Sequence, residues 1–113
     1  DVGKIDVAQP DVGRVGGLTE AMKVCDMAAE RGRQIIPHCW KTGISISASA
    51  HLAAVTPHCP FFEYLPAELT DSLLRQELVQ DELKLVDGKL AIPQKPGLGI
   101  EVNMDALQRF KQD

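Results

Sequence analysis

The chain has 113 residues, of which 44% are hydrophobic and 25% are charged, a composition typical of a folded globular protein. The formal net charge of -4 and the scatter of its twelve Lys and Arg residues argue against a nucleic-acid-binding surface. No apolar run approaches the roughly 20 residues that span a bilayer, and no signal peptide is visible, so we expect no membrane contact. Three cysteines without framework spacing favour reduced thiols in a cytoplasmic protein.

The first part of the chain predicts a strand, a helix and a second strand. Residues 4–8 mix β-branched and small side chains before Pro10 stops further ladder pairing. Residues 18–31 place apolar side chains at three- and four-residue steps, which indicates an amphipathic helix. Gly32 follows in the position that tolerates a left-handed backbone. Residues 34–40 then form a buried strand, and a crossover of this length makes the two strands parallel.

The alternation of strand and helix continues to residue 66. Residues 44–55 are small and apolar throughout, and their alanine content and length favour a buried helix over a strand. Thr56-Pro57 ends this helix. Residues 61–65 form a short apolar run between two prolines and predict a third parallel strand. We therefore expect residues 1–66 to carry the pattern β-α-β-α-β.

Residues 67–113 depart from this pattern and are interpreted as a C-terminal extension that docks on another structure. Residues 69–76 predict a turn or two of helix, and Asp87-Gly88 is a hairpin signal. A segment rich in proline and glycine follows the hairpin. Asn103 is placed to cap a short helix over residues 104–111.

Each of the three predicted strands ends at or near a residue whose side chain can take part in catalysis: Asp11, His38 and Glu63. The carboxyl ends of neighbouring parallel strands converge on one face, so these side chains are expected near one substrate. A carboxylate beside an imidazole fixes its tautomer and makes a general base, which predicts an Asp11–His38 dyad. Glu63 lies between Phe62 and Tyr64, an apolar setting in which a protonated carboxyl could donate to an oxyanion.

Four stretches together carry a family resemblance: IDVAQPDVGRVGGLTEA, IIPHCW, FFEYLP and the tail GKLAIPQKPGLGIEVNMDAL. In these segments the chain resembles the C-terminal third of the mandelate racemase/muconate lactonizing group of the enolase superfamily, over essentially its whole length. The resemblance implies strands six, seven and eight of a (β/α)8 TIM barrel. It also implies a C-terminal tail that packs toward an N-terminal capping domain.

The resemblance assigns roles to the three residues. Asp11 and His38 would move a proton at the carbon next to a carboxylate, and Glu63 would stabilise the resulting enediolate, which is held on a magnesium ion. The family's metal carboxylates and its second base lie on strands that precede this segment, so we expect no metal ligand in this chain. We also expect a homo-oligomer and a carboxylate-bearing substrate.

The missing strands change the functional expectation. Three strands leave two open edges, and a barrel without its other five strands cannot bury its interior. The chain also begins at Asp1, which suggests a cut rather than a natural start. We expect it to pack against the remainder of the barrel and the capping domain, and to be inactive alone.

Several alternatives stay open. Within the group we favour an acid-sugar dehydratase over a racemase, an epimerase or a lactone cycloisomerase, and a non-catalytic fragment or interaction module is the alternative of a different class. Trp40 is a candidate substrate-binding residue, although packing on the cap is the favoured role of its ring. His51 and His58 are interpreted as structural. The His-Cys pairs lack the spacing of a zinc site.

Overall fold

A computed structural model describes residues 3–112, so Asp1, where the sequence suggests a cut, lies outside the described residues, as do Val2 and Asp113. No helix in this described range is both long and apolar enough to cross a bilayer. The elements in chain order are β1 (Val7–Ala8), α1 (Leu18–Glu30), β2 (Gln34–Ile35), α2 (Gly43–Ala54), a 3-10 turn (Ala67–Leu69), α3 (Leu73–Glu77), β3 (Leu85–Val86), β4 (Lys89–Leu90) and α4 (Met104–Arg109).

The predicted βαβ unit is present. β1 and β2 pair in parallel, with Val7 opposite Gln34 and Ala8 opposite Ile35. Both strands are shorter than the sequence predicted, but parallel hydrogen bonding continues beyond them: the amide of His38 donates to the carbonyl of Pro10 at 3.2 Å. Proline removes a donor but keeps its carbonyl, so Pro10 still supports the end of the ladder.

Helix α1 covers one side of this strand pair. Its buried residues Ala21, Cys25 and Ala28 recur at helical spacing and pack in one cluster with Ile35. The helix ends as predicted: Gly32 has φ 61°, and the amide of Arg33 donates to the carbonyl of Ala28 at 2.9 Å. This is the Schellman arrangement that glycine favours.

Helix α2 confirms the choice of helix over strand for the small, apolar stretch. Its buried side chains point in several directions, because α2 lies between two core clusters. Ala48 and Leu52 join the cluster formed by α1 and β2, whereas Ile46 and Ala50 pack with Cys39 and with residues of the C-terminal part. Small side chains are therefore required on more than one face of this helix.

The predicted third strand is wrong at the level of hydrogen bonding, since residues 61–65 contain no strand. β2 instead contacts the chain before residue 61: the amide of Ile35 donates to the carbonyl of His58 at 3.1 Å. Pro60 has no N–H to continue a ladder, and Phe61 is 71% exposed. Residues 61–65 make no ladder hydrogen bond with residues 3–112.

The C-terminal extension contains the local structures that the sequence predicts. Asp87 and Gly88 both have positive φ, 49° and 73°, as the two-residue turn between β3 and β4 requires. Asn103 caps α4 by accepting a hydrogen bond from the amide of Ala106 at 3.1 Å. Ser72 caps α3 in the same way.

A buried ion pair stabilises the C-terminal extension. Arg75, which is 3% exposed, pairs with Glu82 and also donates to the carbonyl of Leu65 at 2.9 Å. Burial lowers the pKa of Arg75 from its ordinary value. A second contact joins the extension to α2: the Ser47 hydroxyl donates a hydrogen bond to the carbonyl of Leu98. Residues on both sides of position 66 thus share contacts.

Candidate active site

Asp11 and His38 form the predicted dyad. Asp11 Oδ2 lies 3.0 Å from His38 Nδ1, and the aspartate side chain is 8% exposed whereas the imidazole is 29% exposed. A carboxylate only accepts hydrogen bonds, so Nδ1 carries the proton. The other ring nitrogen, Nε2, then has a free lone pair, which is the form that a general base needs.

The Asp11 carboxylate is held from two further directions. Gly13 donates its backbone N–H to Oδ1 at 2.9 Å, and the Nε of Arg14 lies 3.3 Å from Oδ2. A β-carbon at position 13 would lie 3.3 Å from Oδ1 and 3.7 Å from the Nζ of Lys41, so the site uses glycine for close approach. The aspartate therefore has a fixed orientation before any substrate arrives.

Trp40 connects the dyad with the third predicted residue. Its ring centroid lies 5.5 Å from that of His38, with an angle of 33° between the planes. Its indole N–H donates to Glu63 Oε1 at 2.7 Å. The four residues thus form one continuous series of contacts, Asp11 to His38 to Trp40 to Glu63.

The second carboxyl oxygen of Glu63 is unusual. Oε2 is buried and has no hydrogen-bond partner among residues 3–112. A buried polar atom without a partner is costly, so this oxygen is a candidate for a contact with a molecule that the chain itself does not supply.

Cys39 lies between the dyad histidine and Trp40 but faces the core. Burial raises the pKa of its thiol, and the nearby Asp11 carboxylate raises it further. A thiol kept neutral is a poor nucleophile. The chemistry that this arrangement supports is therefore proton transfer by His38, with hydrogen bonding by Glu63.

Sequence reasoning missed two contacts of the site. The Gly13 amide was predictable, because an aspartate at a turn commonly accepts from the amide two residues further along. The Trp40–Glu63 bond joins residues 23 positions apart and has no local signal. The other histidines lie outside the site, as expected: His51 Nε2 is 3.3 Å from the carbonyl of Leu98, and His58 Nε2 is 3.0 Å from that of Cys25.

Comparison with known proteins gives the family. The family described as "Enolase C-terminal domain-like" matches residues 1–106. The chain belongs to this family. The resemblance to the mandelate racemase group of the enolase superfamily is confirmed, and the α/β fold is that of an enolase C-terminal domain-like, TIM-barrel fragment.

Members of the enolase C-terminal domain-like family with similar sequences are named as enzymes. A D-galactarolactone cycloisomerase from Agrobacterium fabrum is 38% identical over 96% of this chain and 30% of its own length. An arabinonate dehydratase from Saccharolobus solfataricus is 32% identical over 95% of this chain and 28% of its own length. The crystal structure of the 3,6-anhydro-D-galactonate cycloisomerase from Zobellia galactanivorans superimposes with a TM-score of 0.84 at 38% identity, covering 96% of this chain and 30% of that protein.

The chain thus spans less than a third of the length of these relatives. Over the described range, no group of three or more His, Cys, Asp or Glu side chains is placed to hold a metal ion. Within that range the magnesium ion that family membership implies therefore has no group of three such ligands.

Proposed function

We propose that this chain occupies the positions of strands six to eight of a (β/α)8 barrel in a longer enzyme, with residues 61–65 pairing as strand eight only against the rest of the barrel, and with the extension that packs toward a capping domain. The small share of each relative that it covers supports this. A groove of about 410 Å3 between α2, residues 59–64 and the β3–β4 hairpin also supports it, because its lining is mostly apolar and includes Phe61, Phe62, Leu85, Leu90 and Ile92. Such a surface needs cover from further protein.

The proposed reaction is removal of the proton next to a carboxylate. The observation that carries it is the 3.0 Å contact between Asp11 Oδ2 and His38 Nδ1, which leaves His38 Nε2 free to accept a proton. When Nε2 takes the proton, the electron pair of the C–H bond moves into the carboxylate and gives an enediolate. Glu63, in its protonated form, donates a hydrogen bond to the developing charge.

The magnesium ion that the family implies would be held by residues outside this chain, where it would neutralise charge on the substrate carboxylate. The described residues contribute the base, the group that orients it and a hydrogen-bond donor. On this proposal the isolated chain has no turnover.

An acid-sugar dehydratase is the first choice of reaction. After the α-proton is removed, the hydroxyl on the next carbon leaves with a proton from the His38 imidazolium, and water is released. The named arabinonate dehydratase supports this outcome. A lactone cycloisomerase is the second candidate, favoured by the 38% identity to the D-galactarolactone enzyme, and a racemase or epimerase uses the same parts.

The product separates these reactions. The full-length enzyme, expressed from the complete reading frame that encodes this segment, would be incubated with magnesium and arabinonate, D-galactarolactone or 3,6-anhydro-D-galactonate. Loss of water to a keto acid, followed by NMR, supports the dehydratase. Opening of a ring without loss of water supports the cycloisomerase. A full-length protein that is folded and loaded with magnesium, yet transforms no acid sugar or lactone, would contradict both.

The cellular setting is also proposed. The cysteines Cys25, Cys39 and Cys59 are all free, which suits a reducing compartment such as the cytoplasm. Homo-oligomerisation is inferred from the family resemblance, and sedimentation of the full-length enzyme tests it.

A further inference from the structure

Trp40 is held by polar and ring contacts rather than by the core. The residue is 60% exposed, which is uncommon for tryptophan. Two contacts fix it, the indole N–H to Glu63 Oε1 at 2.7 Å and the tilted ring packing on His38. A residue placed only to fill space would not require a donor aimed at a carboxyl group.

The indole N–H distinguishes the two oxygens of Glu63. It only donates, so the oxygen that it contacts must accept. A protonated carboxyl group has one carbonyl oxygen, which accepts, and one hydroxyl, which donates. With the indole on Oε1, the favourable position for the hydroxyl is Oε2, the buried oxygen that has no partner among residues 3–112.

We propose that Trp40 is a positioning residue. Its indole N–H donates to the acceptor oxygen of Glu63, Oε1, and so directs the hydroxyl at Oε2 toward the oxyanion that forms on the substrate. This inference rests on the proposed function of Glu63 and deepens it. It replaces the direct substrate contact that the sequence suggested for Trp40. The same ring limits rotation of the His38 imidazole, so one residue orients both the base and the donor.

The two contributions are separable by substitution. Trp40→Phe keeps an aromatic ring beside His38 and removes the N–H. Loss of one hydrogen bond that orients a reacting group is expected to lower kcat about 10-fold, with KM nearly unchanged. A residue that binds substrate directly would instead raise KM, because its contact would be present in the ground state as well.

A double-mutant cycle in the full-length enzyme tests this proposal. Glu63→Met removes the carboxyl group that Trp40 positions, so adding Trp40→Phe is expected to cause less than a 2-fold further loss in kcat. If the loss in kcat of the double variant equals the product of the two single losses, or if Trp40→Phe changes KM alone, the positioning role is overturned. The substrate would be the acid sugar or lactone that reacts fastest with the unmodified enzyme.

A second measurement does not depend on activity or on the folding of the Trp40 variant. In 15N-labelled full-length enzyme, the indole N–H resonance of Trp40, assigned by its absence in Trp40→Phe or by selective labelling, should move when Glu63 is changed to Met. An unmoved resonance overturns the contact. The proposed function fails separately, if Glu63→Met and His38→Asn both retain full activity.

Discussion

Asp11 and His38 stand opposite each other in the register of the β1–β2 pair. They are separated by 27 residues, the same offset that pairs Val7 with Gln34 and Ala8 with Ile35. The dyad is thus an extension of the strand pairing beyond its last assigned residue, supported by the hydrogen bond from the His38 amide to the Pro10 carbonyl. Strand register places the two residues opposite each other, and the Gly13 amide and Arg14 then orient the Asp11 carboxylate.

Changing the dyad carboxylate should reduce the rate without large loss of binding. Asp11→Asn keeps the shape, but its amide can donate to Nδ1 and so favour the tautomer that has no lone pair on Nε2. We expect kcat to fall about 10²-fold to 10⁴-fold, as for other misoriented general bases. Steady-state kinetics of the full-length enzyme measures this effect.

Arg14→Ala is the matched control for Asp11→Asn. The Arg14 side chain is 67% exposed, so its contact with Asp11 is screened by solvent and its loss should change kcat by less than about 5-fold. If Arg14→Ala is as damaging as Asp11→Asn, the orientation of Asp11 depends on the arginine more than on the strand register.

Two glycine substitutions should separate crowding at the site from backbone strain elsewhere. Gly13→Ala places a β-carbon 3.3 Å from Asp11 Oδ1, so the carboxylate must shift and kcat should fall several-fold. Gly32→Ala meets no atom within 4 Å but has φ 61°, so it should cost about 1 kcal/mol of stability. Its kcat should be unchanged.

Kinetics and thermal unfolding of the two full-length variants provide the comparison. The opposite pattern, a rate effect at Gly32 and none at Gly13, would contradict the close packing of Asp11 against the 11–14 turn.

The elements with strong local signals were predictable from the sequence. Helical spacing identified α1, alanine content and length identified α2, Asp87-Gly88 identified the hairpin, and Asn103 identified the start of α4. Two residues of the dyad were also found, because Asp11 and His38 follow strands in one βαβ unit. In each of these cases the residues themselves determine the local geometry.

The features that the sequence did not reveal depend on neighbours. The run 61–65 has the composition of a strand, but strand formation requires a hydrogen-bonding partner, which composition does not supply. The contact of Trp40 with Glu63 depends on how two loops pack. Both the failed strand and the missed contact are tertiary effects that override or add to local propensity.

The buried pair between Arg75 and Glu82 should be important for the C-terminal extension. Arg75→Met leaves the Glu82 carboxylate, which is 12% exposed, without its partner, and a loss of about 3 to 5 kcal/mol is expected. Changing Glu82 to Leu as well should restore much of this loss. The exposed pair between Arg33 and Asp6 is the control, and Arg33→Ala should cost less than about 1 kcal/mol.

Hydrogen exchange of the 73–83 amides in the full-length protein measures local opening of the extension. Equal protection in the Arg75→Met and unmodified proteins would show that the pair does not stabilise this region.

The raised pKa of Cys39 predicts a pH dependence. Burial keeps this thiol protonated in the folded protein above pH 9.0, its ordinary pKa, whereas the unfolded chain ionises there. The stabilising contribution is therefore fully present below pH 9.0 and is lost as the pH rises through the folded-state pKa. The 13Cβ chemical shift of Cys39 in 13C-cysteine-labelled enzyme should titrate at higher pH in the native protein than in urea. A titration midpoint in the native protein at or below the midpoint in urea would contradict the raised pKa of Cys39.

The central claim is that His38 removes a proton from the carbon next to a carboxylate. The most direct measurement is exchange of that proton for solvent deuterium in the recovered, unreacted substrate, followed by NMR, with the full-length enzyme, magnesium and the acid sugar or lactone that it transforms. We predict exchange in the unmodified enzyme and its loss in His38→Asn, with the fold retained. Exchange at an unchanged rate in His38→Asn would show that another group is the base.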